Sequence, residues 1–126
     1  MRILTVFFLA GMLAGAAPDP APKPPQHCFS PQQLDGWRAA DGKTLYIRAD
    51  VNHFYRIDLA RECSVLASPD AQLILNIESG STICSATDVL LKASEPFIRI
   101  PEPCFVKDMT ELSPVEAAAL PPAQRP

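Results

Sequence analysis

Four cysteines are the feature that most constrains how this chain can fold. Cys28, Cys63, Cys84 and Cys104 are spaced 35, 21 and 20 residues apart, and no two of them form a C-x-x-C motif. An even number of cysteines in a small exported chain is typical of a disulfide framework. The spacing matches no zinc module, so two disulfides are favoured over a metal site that combines these cysteines with a histidine.

Three disulfide connectivities are possible. We favour Cys63–Cys84, which would join the ends of one strand-containing segment, together with Cys28–Cys104, which would tie the start of the fold to its last strand. In the chain-entropy description the longer loop contributes about 4 kcal/mol and the shorter loop about 3 kcal/mol.

The N-terminal segment has the layout of a secretory signal peptide. Arg2 supplies a positive start, residues 3–13 are almost entirely apolar, and an Ala-Gly-Ala triplet ends at Ala16. The apolar run is shorter than the roughly 20 residues that span a bilayer. We expect cleavage after Ala16, with Ala17 as the alternative. Because the lipidation position carries no cysteine, we expect a periplasmic protein without a lipid anchor or another stable membrane anchor.

Proline-rich segments flank the part of the chain that is expected to fold. Residues 17–27 predict a stiff linker and residues 121–126 a tail, because proline has no amide hydrogen to donate to a helix or sheet. The folded domain is therefore expected over residues 28–120. The formal net charge of −3 excludes a generic basic nucleic-acid binder, which needs a positive surface.

Alternating apolar and polar residues in the middle of the chain predict antiparallel strands. Residues 44–50 and 53–59 form the clearest pair, with a three-residue loop of Val51, Asn52 and His53 in which Asn52 takes a positive φ. This register places Arg48 opposite Arg56. It pairs Leu45 with Leu59, Ile47 with Ile57 and Ala49 with Tyr55.

Further short strands and two capping boxes complete the predicted fold. Strands are expected near residues 37–40, 72–78, 88–93, 97–100 and 104–109. Ser113 begins a short C-terminal helix that runs to Leu120, and Ser30 begins a single turn. The predicted fold is mainly β (α+β), a small antiparallel sheet or partial barrel with a short C-terminal helix and two disulfides.

Several segments together resemble one protein family. They are Cys28-Phe29, Trp37-Arg38, the hairpin at 45–59, Cys63-Ser64-Val65-Leu66, Ile83-Cys84, Cys104-Phe105-Val106 and the closing Leu-Ser-Pro-x-Glu-x-x-x-Leu at 112–120. The chain is similar to the bacterial domain-of-unknown-function family 6491, small exported or lipid-anchored proteins of Gram-negative bacteria. The resemblance implies a compartment and disulfides but no activity. The chain differs from many members because it lacks the lipidation cysteine.

Residues that could carry chemistry are few. The histidines are His27 and His53, and neither a Gly-x-Ser-x-Gly motif nor a glycine-rich phosphate loop is present. The sequence therefore predicts no catalytic residue, no metal and no cofactor. One face of the hairpin is a possible binding face, although a second core face covered by the C-terminal helix is favoured. Its residues are Tyr46, Arg48, Phe54 and Arg56.

Two hypotheses of function follow. The first is a non-catalytic exported module that binds an unknown envelope protein or cell-envelope component. The second is a small periplasmic metal-binding protein or hydrolase that uses His53 and nearby aspartates. The absence of a recognisable catalytic motif favours the first hypothesis over an enzyme.

Overall fold

The structure is a computed structural model, and it describes residues 15, 26–78, 80–97 and 100–126. The signal peptide predicted for residues 1–16 lies outside the described residues apart from Gly15. Most of the predicted linker, residues 17–25, lies outside them as well.

The described chain is mainly β, as the sequence predicts, and it forms two antiparallel sheets and one short helix. The first sheet has the strand order β1-β2-β3-β7 and the second has the order β4-β5-β6. The elements are β1 Leu34–Ala39, β2 Thr44–Ala49, β3 His53–Leu59, β4 Gln72–Ile77, β5 Val89–Ser94, β6 Glu102–Cys104, β7 Val106–Leu112 and α1 Pro114–Ala118. Short 3₁₀ turns cover Pro31–Gln33, Ser64–Ala67, Ala86–Asp88 and Pro122–Gln124.

The hairpin of β2 and β3 forms as predicted, but its register differs by two residues. The predicted pairing of Arg48 with Arg56 is wrong, since Arg48 lies opposite Phe54. The observed pairs include Leu45 with Ile57, Ile47 with Tyr55 and Ala49 with His53. A shift of two residues keeps every side chain on its predicted face, because side chains alternate with a period of two. Hydrophobic patterning therefore specified the faces without specifying the register.

The hairpin loop consists of Asp50, Val51 and Asn52 rather than of residues 51–53. The positive φ angles belong to Asp50 (52°) and Val51 (64°), so the prediction of a positive φ at Asn52 is wrong. Contacts with the start of β1 hold this conformation. The backbone N–H of Asp50 donates to the Gln33 carbonyl at 2.9 Å, and that of Val51 donates to the Asp35 carboxylate at 2.7 Å.

One buried core contains residues of both sheets. The inward residues of the hairpin are fully or almost fully buried, which confirms the predicted alternation. They are Leu45, Ile47, Ala49, Tyr55, Ile57 and Leu59. The second sheet contributes Leu75, Leu91 and Ala93, and Phe29 packs its ring 4.9 Å from that of Tyr55. Burial of this apolar surface is the main stabilising contribution to the fold.

Two predictions at the edges of the fold have different outcomes. Ser113 caps α1 through the backbone N–H of Glu116, as expected, although the helix ends at Ala118 rather than Leu120.

The prediction of a strand at residues 97–100 is wrong for the described residues, because Phe97 lies in a turn and is 97% exposed. Residues 98 and 99 lie outside the described part of the chain. The strand forms instead at β6, whose Pro103 is tolerated because β6 is an edge strand.

All four cysteines form disulfides, but the favoured pairing is wrong. The structure joins Cys28 to Cys84 and Cys63 to Cys104. Cys63 follows β3, and β3 pairs with β7, which begins just after Cys104. Cys28 precedes Phe29, which forms an isolated β-bridge with Ile83. Long-range strand pairing therefore decides the connectivity, whereas the prediction assumed closure of one local segment.

Candidate metal-binding site

Three polar side chains lie close together on the first sheet, at the end of the hairpin where the loop joins β2 to β3. His27, Asp50 and His53 each place one nitrogen or oxygen donor atom within 4.8 Å of the others. The two imidazole rings are stacked, with centroids 3.9 Å apart and an angle of 9° between the planes. His27 and Asp50 are exposed and His53 is half-buried, so a dissolved ion can reach the cluster.

The hairpin places two of these residues next to each other. His53 is the first residue of β3 and pairs with Ala49, the last residue of β2, so Asp50 begins the loop directly beside it. The left-handed backbone of Asp50 turns the chain at this point, and aspartate accepts that conformation more readily than most residues. The proximity of Asp50 and His53 is thus a local consequence of the loop.

His27 reaches the site from a distant part of the sequence. Its backbone carbonyl accepts a hydrogen bond from the Tyr55 hydroxyl in β3. The next residue, Cys28, is joined to Cys84, and Phe29 forms two backbone hydrogen bonds with Ile83 at 3.0 and 2.7 Å. The segment that carries His27 is therefore fixed both to β3 and to the chain before β5.

Glu111 in β7 supports both histidines. Its Oε1 lies 3.0 Å from Nδ1 of His53, and its Oε2 accepts the backbone N–H of His27 at 2.8 Å. The backbone N–H of Glu111 donates to the Gln26 side chain at 2.6 Å. Glu111 lies directly opposite Tyr55, on the same sheet face as His53, so strand pairing brings it to the site.

The charge of Glu111 determines the tautomer of His53. Burial raises the pKa of the Glu111 carboxyl, but the hydrogen bonds from His27 and His53 outweigh this effect and the pKa is lowered overall. The ionised carboxylate can only accept, so Nδ1 of His53 carries the hydrogen that it donates. In a neutral imidazole with this tautomer, Nε2 carries the lone pair that can bind a metal.

The donor set fits a divalent transition-metal ion. Two imidazole nitrogens and one carboxylate oxygen suit Zn²⁺ or Cu²⁺, whereas Mg²⁺ and Ca²⁺ prefer oxygen ligands. Donors bound to one tetrahedral ion at 2.0–2.2 Å lie about 3.3–3.6 Å apart, so donors that lie up to 4.8 Å from one another must move closer by as much as about 1.5 Å. The side chains of His27 and Asp50 are exposed, so solvent and not packed core surrounds the space for that movement.

The predicted binding face lies on the opposite side of the first sheet. Tyr46 is buried, Arg48 and Phe54 are half-buried, and Arg56 is exposed and pairs with Asp58 at 3.1 Å. These residues form the pairs Tyr46–Arg56 and Arg48–Phe54 across β2 and β3. The C-terminal helix lies beside this face. Two grooves of about 520 and 460 Å³ lie between them, the first lined by Phe54, Pro114, Ala117 and Ala118 and the second by Tyr46, Glu116 and Leu120. The binding role of this face stays a prediction.

Sequence reasoning found part of the cluster and missed the rest. His53 and nearby aspartates were named as a metal-binding alternative, but His27 and Glu111 were not placed with them. The only available signal for Glu111 was its position on a strand that pairs with β3. That pairing joins residues 58 apart along the chain and cannot be read from local pattern.

The fold and the site define a class of small, mainly β proteins with two disulfides and an exposed histidine–aspartate cluster. The chain belongs to the Family of unknown function (DUF6491), which it matches over residues 1–126, so the resemblance is confirmed. No curated protein and no solved structure shows significant similarity to it.

The disulfides also indicate where the protein resides. Two disulfides in a small chain point to an oxidising, extracytoplasmic location. Among the helices that the structure describes, none is long and apolar enough to cross a membrane.

Proposed function

We propose that this protein is a non-catalytic, exported module that binds one divalent transition-metal ion at the His27–Asp50–His53 site. The observation that carries the proposal is the proximity of these three donor residues, with His53 held by the Glu111 carboxylate. The two imidazole rings are stacked, so one ring has to turn for both nitrogens to face the same ion. A carboxylate that fixes the second nitrogen of a ligating histidine is a recurrent feature of metal sites.

The proposal includes a periplasmic location. The three-part pattern of residues 1–16 supports export by a signal peptide, and the two disulfides support an oxidising destination. The missing lipidation cysteine supports a protein released from the membrane. A partner in the cell envelope, which the sequence predicts, is compatible with this proposal.

Metal binding is better supported than hydrolysis. A hydrolase that works through His53 needs a nucleophile hydrogen-bonded to the imidazole. In the part of the chain that the structure describes, the ring of His53 bonds to Glu111 and stacks on His27, and no serine hydroxyl is hydrogen-bonded to either ring. The cluster thus has donors for an ion and lacks the pairing that activates a nucleophile.

Calorimetric titration of the full oxidised protein with Zn²⁺ and with Cu²⁺ tests the proposal. We expect one ion per chain, with Mg²⁺ giving no heat. His53→Ala and Asp50→Asn should each weaken binding by at least about tenfold, which corresponds to 1.4 kcal/mol. Asp70→Asn is the matched control, because it removes the same charge from an exposed turn before β4 and should leave affinity unchanged. Wild-type protein that binds neither ion, or variants that bind as tightly as wild type, would overturn the proposal.

A further inference from the structure

The two disulfides differ sharply in their access to solvent. Cys63 and Cys104 are 2% and 3% exposed and belong to the core. Cys28 is exposed and Cys84 is half-buried. Exchange with an external thiol requires direct approach to a sulfur atom, so exposed disulfides are the labile ones and buried disulfides are protected.

The exposed disulfide also adjoins the candidate metal site. Cys28 follows His27 directly, and the cross-link to Cys84 holds this segment across 56 residues of sequence. Gln26 also connects Cys84 to the site. Its side-chain amide nitrogen donates to the Cys84 carbonyl at 3.2 Å, and its side-chain oxygen accepts from the Glu111 backbone N–H at 2.6 Å. The position of His27 therefore depends on the chain around Cys84.

We infer that the Cys28–Cys84 disulfide is a site of thiol–disulfide exchange with a dithiol reductant, and that its reduction weakens metal binding by removing the covalent restraint on the His27 segment. The inference rests on the proposed function, because it assigns a redox control to the same metal site. The chemistry identifies the reacting partner as a dithiol of the kind that a disulfide oxidoreductase carries.

The exchange has two steps. A thiolate of the dithiol attacks Sγ of Cys28, the more exposed of the two residues. A mixed disulfide forms, the Cys28–Cys84 bond breaks, and Cys84 leaves as a thiolate that takes up a proton. The second thiolate of the reductant then attacks its own sulfur in the mixed disulfide, and Cys28 leaves and is protonated. The protein gains two electrons and two protons, and the dithiol becomes a disulfide.

Reduction leaves the rest of the fold connected. The buried Cys63–Cys104 disulfide remains, and Phe29 and Ile83 keep their backbone hydrogen bonds within the core. The expected effect is thus a change at the metal site and not global unfolding. His53 and Asp50 are held by the hairpin, so among the three donors only His27 loses a restraint on reduction.

The test begins with graded dithiothreitol applied to the full oxidised protein, followed by alkylation with iodoacetamide, measurement of the intact mass to count the alkyl groups, and peptide mapping to locate them. We expect a species with two alkyl groups, on Cys28 and Cys84, before any species with four. Simultaneous reduction of both disulfides, or earlier reduction of Cys63–Cys104, would overturn the assignment of Cys28–Cys84 as the exchange site.

The second arm measures Zn²⁺ affinity in the same calorimeter. The two-fold alkylated protein and the Cys28→Ser/Cys84→Ser variant should both bind Zn²⁺ at least about tenfold more weakly than the oxidised protein, the effect expected when a ligand loses its support. Circular dichroism checks that each protein retains its β signal, and the alkylated protein serves where the variant does not fold. Equal affinity in oxidised and reduced forms would overturn the inference alone. Oxidised protein that binds neither Zn²⁺ nor Cu²⁺ would instead overturn the proposed function.

Discussion

The Glu111 carboxylate and the His53 imidazole form a pair in which Oε1 and Nδ1 are 3.0 Å apart. The pair joins β7 to β3 and fixes which imidazole nitrogen carries the hydrogen. The other carboxylate oxygen holds the backbone of His27, so one side chain organises both histidines of the site.

Glu111→Gln should weaken Zn²⁺ binding by about 10- to 100-fold, because loss of an outer-shell carboxylate usually costs that much affinity. Glutamine has a similar shape and can still accept a hydrogen bond, so the main change is the loss of negative charge beside His53. Competition with a chromophoric chelator measures the affinity. Glu78→Gln removes the same charge at an exposed position after β4 and is the control. Equal affinity of Glu111→Gln and wild type would contradict the supporting role of Glu111.

The disulfide connectivity can be mapped without reduction. Combined cleavage by trypsin and a glutamate-specific protease separates the four cysteines. Neither enzyme suffices alone, because Cys63 and Cys84 share the tryptic residues 62–92, and the prolines after Glu95 and Glu102 block cleavage between Cys84 and Cys104. We expect residues 63–78 to be linked to residues 100–107, and residues 79–92 to be linked to the peptide that ends at Arg38. A link between residues 63–78 and 79–92 would contradict the structure.

Replacing Val51 by asparagine should stabilise the protein. Val51 has a φ of 64°, a conformation that costs a side chain with a Cβ atom about 1–2 kcal/mol and that asparagine accepts more readily. The side chain is 64% exposed, so little packing is lost. We expect Val51→Asn to raise the free energy of unfolding in urea by about 1 kcal/mol. Val51→Ala keeps the steric cost and should change it by less than about 0.5 kcal/mol. No gain from asparagine would contradict this account of the loop.

Asp88 should make stability depend on pH. The hydrogen bond from the backbone N–H of Cys84 lowers the pKa of its carboxyl most strongly; desolvation opposes it, and hydrogen bonds from the backbone and side chain of Ser85 lower the pKa further. Because the folded pKa lies below the ordinary value of about 3.9, the stabilisation is present above that value and is lost as pH falls through the folded pKa.

Thermal denaturation of wild type and Asp88→Asn checks this prediction. The variant should melt at a lower temperature than wild type at pH 7. This difference in melting temperature should shrink as the pH falls below the ordinary pKa of an aspartate and through the folded pKa of Asp88. Asp70→Asn, in an exposed turn, is the control, and its difference in melting temperature from wild type should not change with pH in this way. A melting difference that stays constant down to the lowest pH would contradict the role assigned to the Asp88 charge.

The parts of the fold that follow from local pattern could be predicted. Alternation in residues 44–50 and 53–59 specified which side chains enter the core, and the Ser113 cap specified where the helix begins. The hairpin register could not be predicted, because a shift of two residues preserves the faces and the choice depends on the loop. Asp50 and Val51 have left-handed backbones, and their N–H groups donate to the Gln33 carbonyl and the Asp35 carboxylate, contacts that lie outside the hairpin pattern.

The metal site and the disulfide pairing depend on contacts that are distant in sequence. Glu111 reaches His53 through the pairing of β3 with β7, and Cys28 reaches Cys84 through the bridge between Phe29 and Ile83. Each of these contacts is an outcome of tertiary packing. Pattern within a strand carries no information about which strands become neighbours.

Long-range ¹H–¹⁵N spectra of the imidazoles, recorded with and without Zn²⁺, test the central claim most directly. The chain has only two histidines, so every ring-nitrogen signal belongs to His27 or His53. We predict that the Nε2 resonance of His53 and one nitrogen of His27 shift on addition of one equivalent of Zn²⁺, while Nδ1 of His53 stays protonated. Spectra in which neither histidine responds to Zn²⁺ would contradict the metal site.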